Sequence, residues 1–176
     1  MSRKLIVYIS MSLDGYLATK EDDLSWLSMV EDGEEDYGYH AFNETVDMYL
    51  VGRRTYDIVR QLSGGVFPPA QQHTCYVITS QEQAPMEQVH FYQQDPTLLV
   101  AQLKQEPGKN IYCDGGAQLL QTLLKADLID EFIISVIPIL LGAGKRLFLG
   151  DHHNIPLTLV SSKAYPKGLV QLHYRR

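Results

Sequence analysis

Short apolar runs alternate with segments of helical spacing along most of this sequence, and that alternation restricts the fold more than any other feature. Leu5–Ile9, Asp47–Val51, Thr74–Thr79, Val89–Tyr92 and Asn110–Cys113 are runs of strand length, rich in β-branched and aromatic residues. Between them lie helical segments. Arg53–Gln61 is stopped by Ser63-Gly64-Gly65, Asp95-Pro96 caps a helix running through Leu103, and Asp114-Gly115-Gly116 opens one running through Lys125. The last of these carries Leu119, Leu120, Leu123 and Leu124 as its apolar stripe. Residues 34–45, with Tyr37, His40 and Ala41 at helical spacing, give a further predicted helix. Repeated strand–helix–strand units predict a mainly parallel sheet with helices on both faces, an α/β fold of three layers. Glu131–Leu141 reads as a long strand bent at Pro138. Pro156–Ala164 and Leu169–Tyr174 flank the turn Tyr165-Pro166-Lys167-Gly168 and predict a closing antiparallel hairpin. The chain has 176 residues, close to the usual size of one domain, so a single domain over 1–176 is expected.

Open α/β sheets bind ligands beyond the carboxyl ends of their strands. The chemistry should therefore gather just after Ile9, Val51, Thr79 and Cys113. Gly52-Arg53-Arg54-Thr55-Tyr56 follows the second strand. A glycine there lets backbone approach a ligand, Thr55 falls in a helix's first turn where free N–H groups favour phosphate, and Arg53 adds a charged partner. The same residues also make an ordinary helix cap with solvated arginines. Thr79-Ser80 offers two hydroxyls at a strand end, or simply a good turn. Asp114-Gly115-Gly116-Ala117-Gln118 removes side chains where a pyrophosphate could rest on backbone N–H groups, and a tight turn explains it equally well. It is neither the dinucleotide fingerprint nor a P-loop. Gly142-Ala143-Gly144-Lys145-Arg146 lacks the P-loop's other residues and reads as a bent strand end. The three junctions share one predicted sheet edge, which raises a dinucleotide reading above each part.

Four ordered stretches carry a family resemblance: Ser10-Met11-Ser12-Leu13-Asp14-Gly15-Tyr16, Val51 to Tyr56, Tyr112 to Ala117, and Pro138 to Phe148. On them the chain resembles the dihydrofolate reductase superfamily, and within it the branch holding the reductase domain of bacterial riboflavin biosynthesis. The resemblance implies a nicotinamide site preferring NADPH. Gly52, Arg53 and Thr55 would meet cofactor phosphates, with Thr79 and Ser80 near the adenosine 2′-phosphate. Gly115, Gly116 and Ala117 would carry the pyrophosphate, and Ser10 would lie beside the nicotinamide amide. The pterin-binding carboxylate of common dihydrofolate reductases lies about sixteen residues before the motif glycine, which implies Asp36 as the substrate-binding and proton-donating acid. Glu34, Glu35 and Glu44 are the alternatives. Asp14 borders the same region and is the second candidate catalytic residue. Trp26 and Tyr37 could stack on a planar substrate ring, or pack without any ligand. The implied reaction is hydride transfer to an aminopyrimidine- or pteridine-like heterocycle, as in 5-amino-6-(5-phosphoribosylamino)uracil reductases. A dihydrofolate or pterin reductase, and a nucleotide-binding module without turnover, are the alternatives. Relatives of the riboflavin branch associate, so a homodimer using the C-terminal hairpin's edge is expected.

Charge separates the chain into two regions. The formal net charge is −6. Residues 21–52 hold ten carboxylates and no Lys or Arg, while the remainder carries all fifteen basic residues against eleven acids. The balance argues against nucleic acid or an anionic membrane as a partner, and leaves room for a small anionic ligand. Cys75 and Cys113 lie in apolar runs and read as buried thiols. His152-His153 has no ligand-spaced partner, so no metal site is expected. No leader sequence is evident and no apolar run approaches a membrane span, so the expected location is the cytoplasm.

Overall fold

The structure, a computed structural model, describes residues 3–31, 33–84 and 86–176. In chain order its elements are β1 (Leu5–Ser12), β2 (Tyr16–Ala18), α1 (Tyr39–Asn43), β3 (Val46–Gly52), α2 (Arg53–Leu62), β4 (Thr74–Ile78), β5 (Val89–Tyr92), α3 (Pro96–Leu103), β6 (Asn110–Gly115), α4 (Ala117–Lys125), β7 (Glu131–Ile137), β8 (Lys145–Arg146), β9 (Thr158–Ala164) and β10 (Val170–Arg175). An eight-stranded sheet runs in the order β5-β4-β3-β6-β1-β7-β10-β9. Every pairing from β5 to β7 is parallel, and only β10 and β9 run antiparallel. This is the mainly parallel, helix-covered sheet with a closing hairpin that the alternation predicts.

The strands bury both faces because successive side chains point to opposite sides. In β1, Leu5 and Val7 join one core with Leu99, Val100 and Leu103 of α3 and the α4 leucine stripe. Ile6 and Tyr8 join the other core, with Phe42 of α1, Tyr56 of α2, and Tyr49 and Tyr112 from neighbouring strands. This two-sided burial accounts for apolar runs without polar alternation. Asp95 caps α3 by accepting from the Thr97 N–H at 2.9 Å, with Pro96 at the first helical position.

Two elements differ from expectation. The predicted helix over 34–45 is confined to Tyr39–Asn43. Tyr37 and Gly38 both take left-handed backbone, at φ values of 56° and 79°, and helical winding begins only after them. Residues 25–30 form a 3₁₀ turn that buries Trp26 and Val30. The predicted strand over 131–141 stops at Ile137. Pro138 lacks an N–H, and the Ile139 N–H folds back onto the Ile137 carbonyl at 2.8 Å. The chain beyond it pairs β8 with β2 in a small antiparallel sheet. Gly144, at φ 156°, is needed there, since a Cβ on it would lie 2.2 Å from the Ala18 carbonyl oxygen. Among the described residues, no helix is long and apolar enough to cross a membrane.

Candidate functional site

The carboxyl ends of β1, β3, β4 and β6 open onto a cleft of about 1380 Å³, walled on its other side by residues from 16–24 and 143–146. Its floor is a contact between two backbones. Gly52 ends β3 and caps α2, and Gly115-Gly116, a cis peptide, joins β6 to α4. A Cβ on Gly52 would stand 3.4 Å from the Gly116 nitrogen, and one on Gly116 would stand 3.2 Å from Thr55 Oγ1. Gly115 is held at φ 91°, where a side chain would be strained and would meet Ile9 Cδ1 at 3.3 Å. Side chains are thus excluded where two helix N-termini face one space. Neither helix has a capping side chain or an acid in its first turn. Their leading N–H groups and dipoles present positive potential to the cleft.

Arg53 sharpens that potential. Its Nε donates to both Asp57 carboxylate oxygens at 2.9 Å, while its Nη1 is buried without a hydrogen-bond partner among the described residues. A buried guanidinium N–H left unpaired is costly unless a ligand completes it. Ser10, Thr55, Thr79, Ser80 and Ala117 line the same cleft with Gly52, Arg53 and Gly116. Gly115 lies behind them, buried in the sheet. Thr79 Oγ1 accepts from the Gln81 N–H at 3.0 Å, which fixes the turn bearing Ser80.

The four remaining candidates lie apart from that cleft. Asp36 and Tyr37 border a smaller hollow of about 200 Å³, which shares Tyr8, Ser10, Leu27 and Tyr39 with the cleft. The Asp36 carboxylate accepts from the His40 and Gly38 N–H groups, each at 2.9 Å, and these bonds hold its pKa below the ordinary range. It is therefore an ionised acceptor near neutral pH. The Tyr37 ring stands edge-on to Tyr165, with centroids 5.2 Å apart, and its carbonyl oxygen is hydrogen-bonded. That oxygen accepts from Tyr8 Oη at 2.9 Å and Gln171 Nε2 at 3.1 Å, and the Tyr37 hydroxyl bonds the Val30 carbonyl. Trp26 packs with Val30, Ile137, Tyr165 and Leu169 outside both spaces, its indole N–H donating to the Asp23 carbonyl at 3.2 Å. Asp14 clasps the loop after β7. It accepts from Ser12 Oγ at 2.6 Å and from the Leu141 and Gly142 N–H groups at 3.1 and 2.7 Å, and these bonds, the serine's first, lower its pKa.

Asp114 is a group that sequence reasoning passed over. It stands at the end of β6 in the cleft wall and accepts hydrogen bonds from Tyr49 Oη and, at 3.0 Å, from Tyr112 Oη. Burial raises its carboxyl to about 6 against the lowering effect of the two hydroxyls. The only signal in the sequence was an acid directly before paired glycines, and turns use that pattern too. Gln171, on the last strand, was also missed. Its Nε2 lies 3.1 Å from Tyr8 Oη and 3.2 Å from Ser135 Oγ, tying together two residues that line the small hollow. Burial pushes the Tyr8 hydroxyl up to about 12, so it stays protonated.

Known proteins match along the whole fold. The family model described as the RibD C-terminal domain matches residues 3–171. The uncharacterized protein YwjB of Bacillus subtilis (strain 168) is 44% identical over 177 residues, covering 100% of this chain and 99% of its own. A crystal structure from Shewanella sp. PV-4, named for riboflavin biosynthesis, is 32% identical with a TM-score of 0.86, covering 100% of this chain and 99% of its own. Dihydrofolate reductase from Enterococcus faecalis, solved with NADP(H) and RAB-propyl, shares the fold at a TM-score of 0.66 and 14% identity, covering 100% and 99% of the two chains.

Proposed function

The chain belongs to the RibD C-terminal domain family, and we propose that it is an NADPH-dependent reductase acting on an aminopyrimidine- or pteridine-like heterocycle. The observation that carries this reading is the side-chain-free glycine junction at two helix N-termini, in a cleft that Arg53 also lines. Side chains are excluded where a diphosphate would need backbone N–H groups, and Arg53, ion-paired to Asp57 through Nε, keeps a buried Nη1 with no hydrogen-bond partner among the described residues. The residues present therefore fit a dinucleotide. Gly52, Gly116 and Ala117 would bind it through backbone, with Thr55 and Arg53 adding side-chain donors. Gly115 keeps the junction narrow. Thr79 and Ser80 would meet the adenosine end, and Ser10 the nicotinamide end. When bound, the cofactor supplies the hydride.

The chain's own contribution is orientation and a proton. The hollow beside Tyr8, Leu27 and Tyr39 would receive one face of a planar ring, with the Asp36 carboxylate as a hydrogen-bonding edge. Asp36, held ionised, would orient an amino-bearing edge. Asp114 holds a proton at its carboxyl up to about pH 6, a range suited to general acid work. Asp14 would act as a positioning residue through the loop it clasps. Trp26 would shape the substrate end through packing. We extend the reading to a cytoplasmic homodimer. β9 is exposed along its whole length, and Leu159 and Val160 stand open on an edge strand.

Thermal melting tests the central claim. Saturating NADPH should raise the melting temperature, and Arg53→Ala should reduce the rise. An unchanged melting temperature at saturating NADPH refutes it. Binding without oxidation by any heterocycle of these classes would leave a nucleotide-binding module instead.

A further inference from the structure

Among the described residues, five basic ones line the cleft: Lys20, Arg53, Arg54, Lys145 and Arg146. The acids lining it are Asp22, Asp57 and Asp114. Asp57 is taken by Arg53, and Asp114 by two tyrosines. Asp22 pairs with two cations at once, Arg54 Nη2 and Lys145 Nζ. The three residues come from separate elements: the turn after β2, the first turn of α2, and β8. Asp22 itself takes left-handed backbone at φ 65°, uncommon for a residue with a side chain. The turn that sets it so is closed by the Asp22 N–H on the Thr19 carbonyl and the Thr19 N–H on the Asp23 carbonyl, both at 3.3 Å. Lys145 is fixed from the other side, because β8 pairs with Ala18 and Gly144 packs its backbone against the same residue.

One carboxylate carries a single negative charge, and here it answers two positive ones. A phosphate monoester carries roughly −1.5 to −2 near neutral pH and has three acceptor oxygens, so it matches such a pair better. Asp22 is 23% exposed and Lys145 31% in their side chains, so water and ligand both reach the triad. We propose that Arg54 and Lys145 form a phosphate-monoester subsite of the cleft, which Asp22 fills as an internal placeholder until ligand phosphate displaces it. The proposal rests on the cleft being the ligand site described above. It also brings Lys145, from a loop that looked like a mere turn, into that site. The monoester can come from the cofactor's ribose or from a phosphorylated substrate.

Trp26 is the chain's single tryptophan and hydrogen-bonds the Asp23 carbonyl, so its emission reports on the Asp22 turn. Inorganic phosphate, adenosine 2′-monophosphate and ribose 5-phosphate are titrated at fixed ionic strength, read by Trp26 emission and by melting temperature. Asp22→Asn should tighten monoester binding about five- to tenfold, the effect of removing a competing partly buried pair. Lys145→Gln added to it should reverse the gain. Asp23→Asn makes the same charge change one residue along, where the carboxylate bonds only Ser25, and should leave binding unchanged. The probe that gains most, the adenosine or the ribose ester, identifies the source of the phosphate. A folded Asp22→Asn that binds no probe more tightly, or an equal gain from Asp23→Asn, overturns the proposal. If Asp22→Asn melts too low to titrate, Lys145→Gln alone decides, since it must weaken phosphate binding and unchanged binding overturns the subsite. Failure of NADPH to shift the melting temperature would sink the reductase reading separately, because the inorganic phosphate titration does not depend on it.

Discussion

Replacing Asp114 by Asn tests the link between burial and chemistry at the cleft wall. In the folded chain burial pushes the Asp114 carboxyl up to about 6, against about 3.8 for an exposed aspartate. Its folded pKa is raised, so its contribution to stability is fully present below about 3.8. That contribution is lost as pH rises towards 6 and is absent above. A difference of about two pKa units corresponds to about 3 kcal/mol between the ends of that window. Between pH 4.5 and 8 the accessible part is about 2 kcal/mol. Asn keeps the shape and an oxygen for one tyrosine hydroxyl but has no proton to exchange, so this pH dependence should vanish in the variant. Urea unfolding of both proteins from pH 4.5 to 8 measures it. The stability of Asp114→Asn relative to wild type should rise by about 2 kcal/mol across the range and level off above about pH 6.5. A relative stability that stays flat with pH would refute the raised carboxyl. The proton-donor role would fall with it.

Three other outcomes follow from the geometry. Gly116→Ala places a methyl 3.2 Å from Thr55 Oγ1; it should cost about 1 kcal/mol or less in urea unfolding yet weaken NADPH binding about tenfold or more by fluorescence titration, because it fills the phosphate cradle. Gly144→Ala would bring a Cβ within 2.2 Å of the Ala18 carbonyl oxygen; a loss of about 2–4 kcal/mol in the same unfolding assay is expected, and a neutral effect would show that the β2–β8 contact is not rigid. Cys75 and Cys113 are buried with thiols pushed up to about 12 by burial; intact-mass analysis should find neither alkylated by iodoacetamide at pH 7.5 until denaturant is added.

Local residue patterns already define the sheet and the edge where ligands should gather. Leu5, Ile6, Val7 and Tyr8 could only be a strand buried on both faces. Gly52 and Gly115-Gly116, each between an apolar run and a helical stripe, could only fall at carboxyl strand ends. Those are local consequences of side-chain period and backbone freedom, readable within about ten residues. The helix over 34–45 was misjudged because left-handed backbone at Tyr37 and the capping by Asp36 do not alter apolar spacing. Which acid does what was decided by tertiary structure. Asp14, Asp22, Asp36 and Asp114 are the same residue type in sequence. Asp114 became a weak acid only because the sheet packed around it excludes water, against the lowering hydrogen bond from Tyr49, 65 residues away. Asp22 became the bridge between two cations only because Lys145, 123 residues on, returns to β2. A carboxyl group's chemistry is set by the charges, dipoles and solvent within a few ångströms, and only the folded chain fixes what those are.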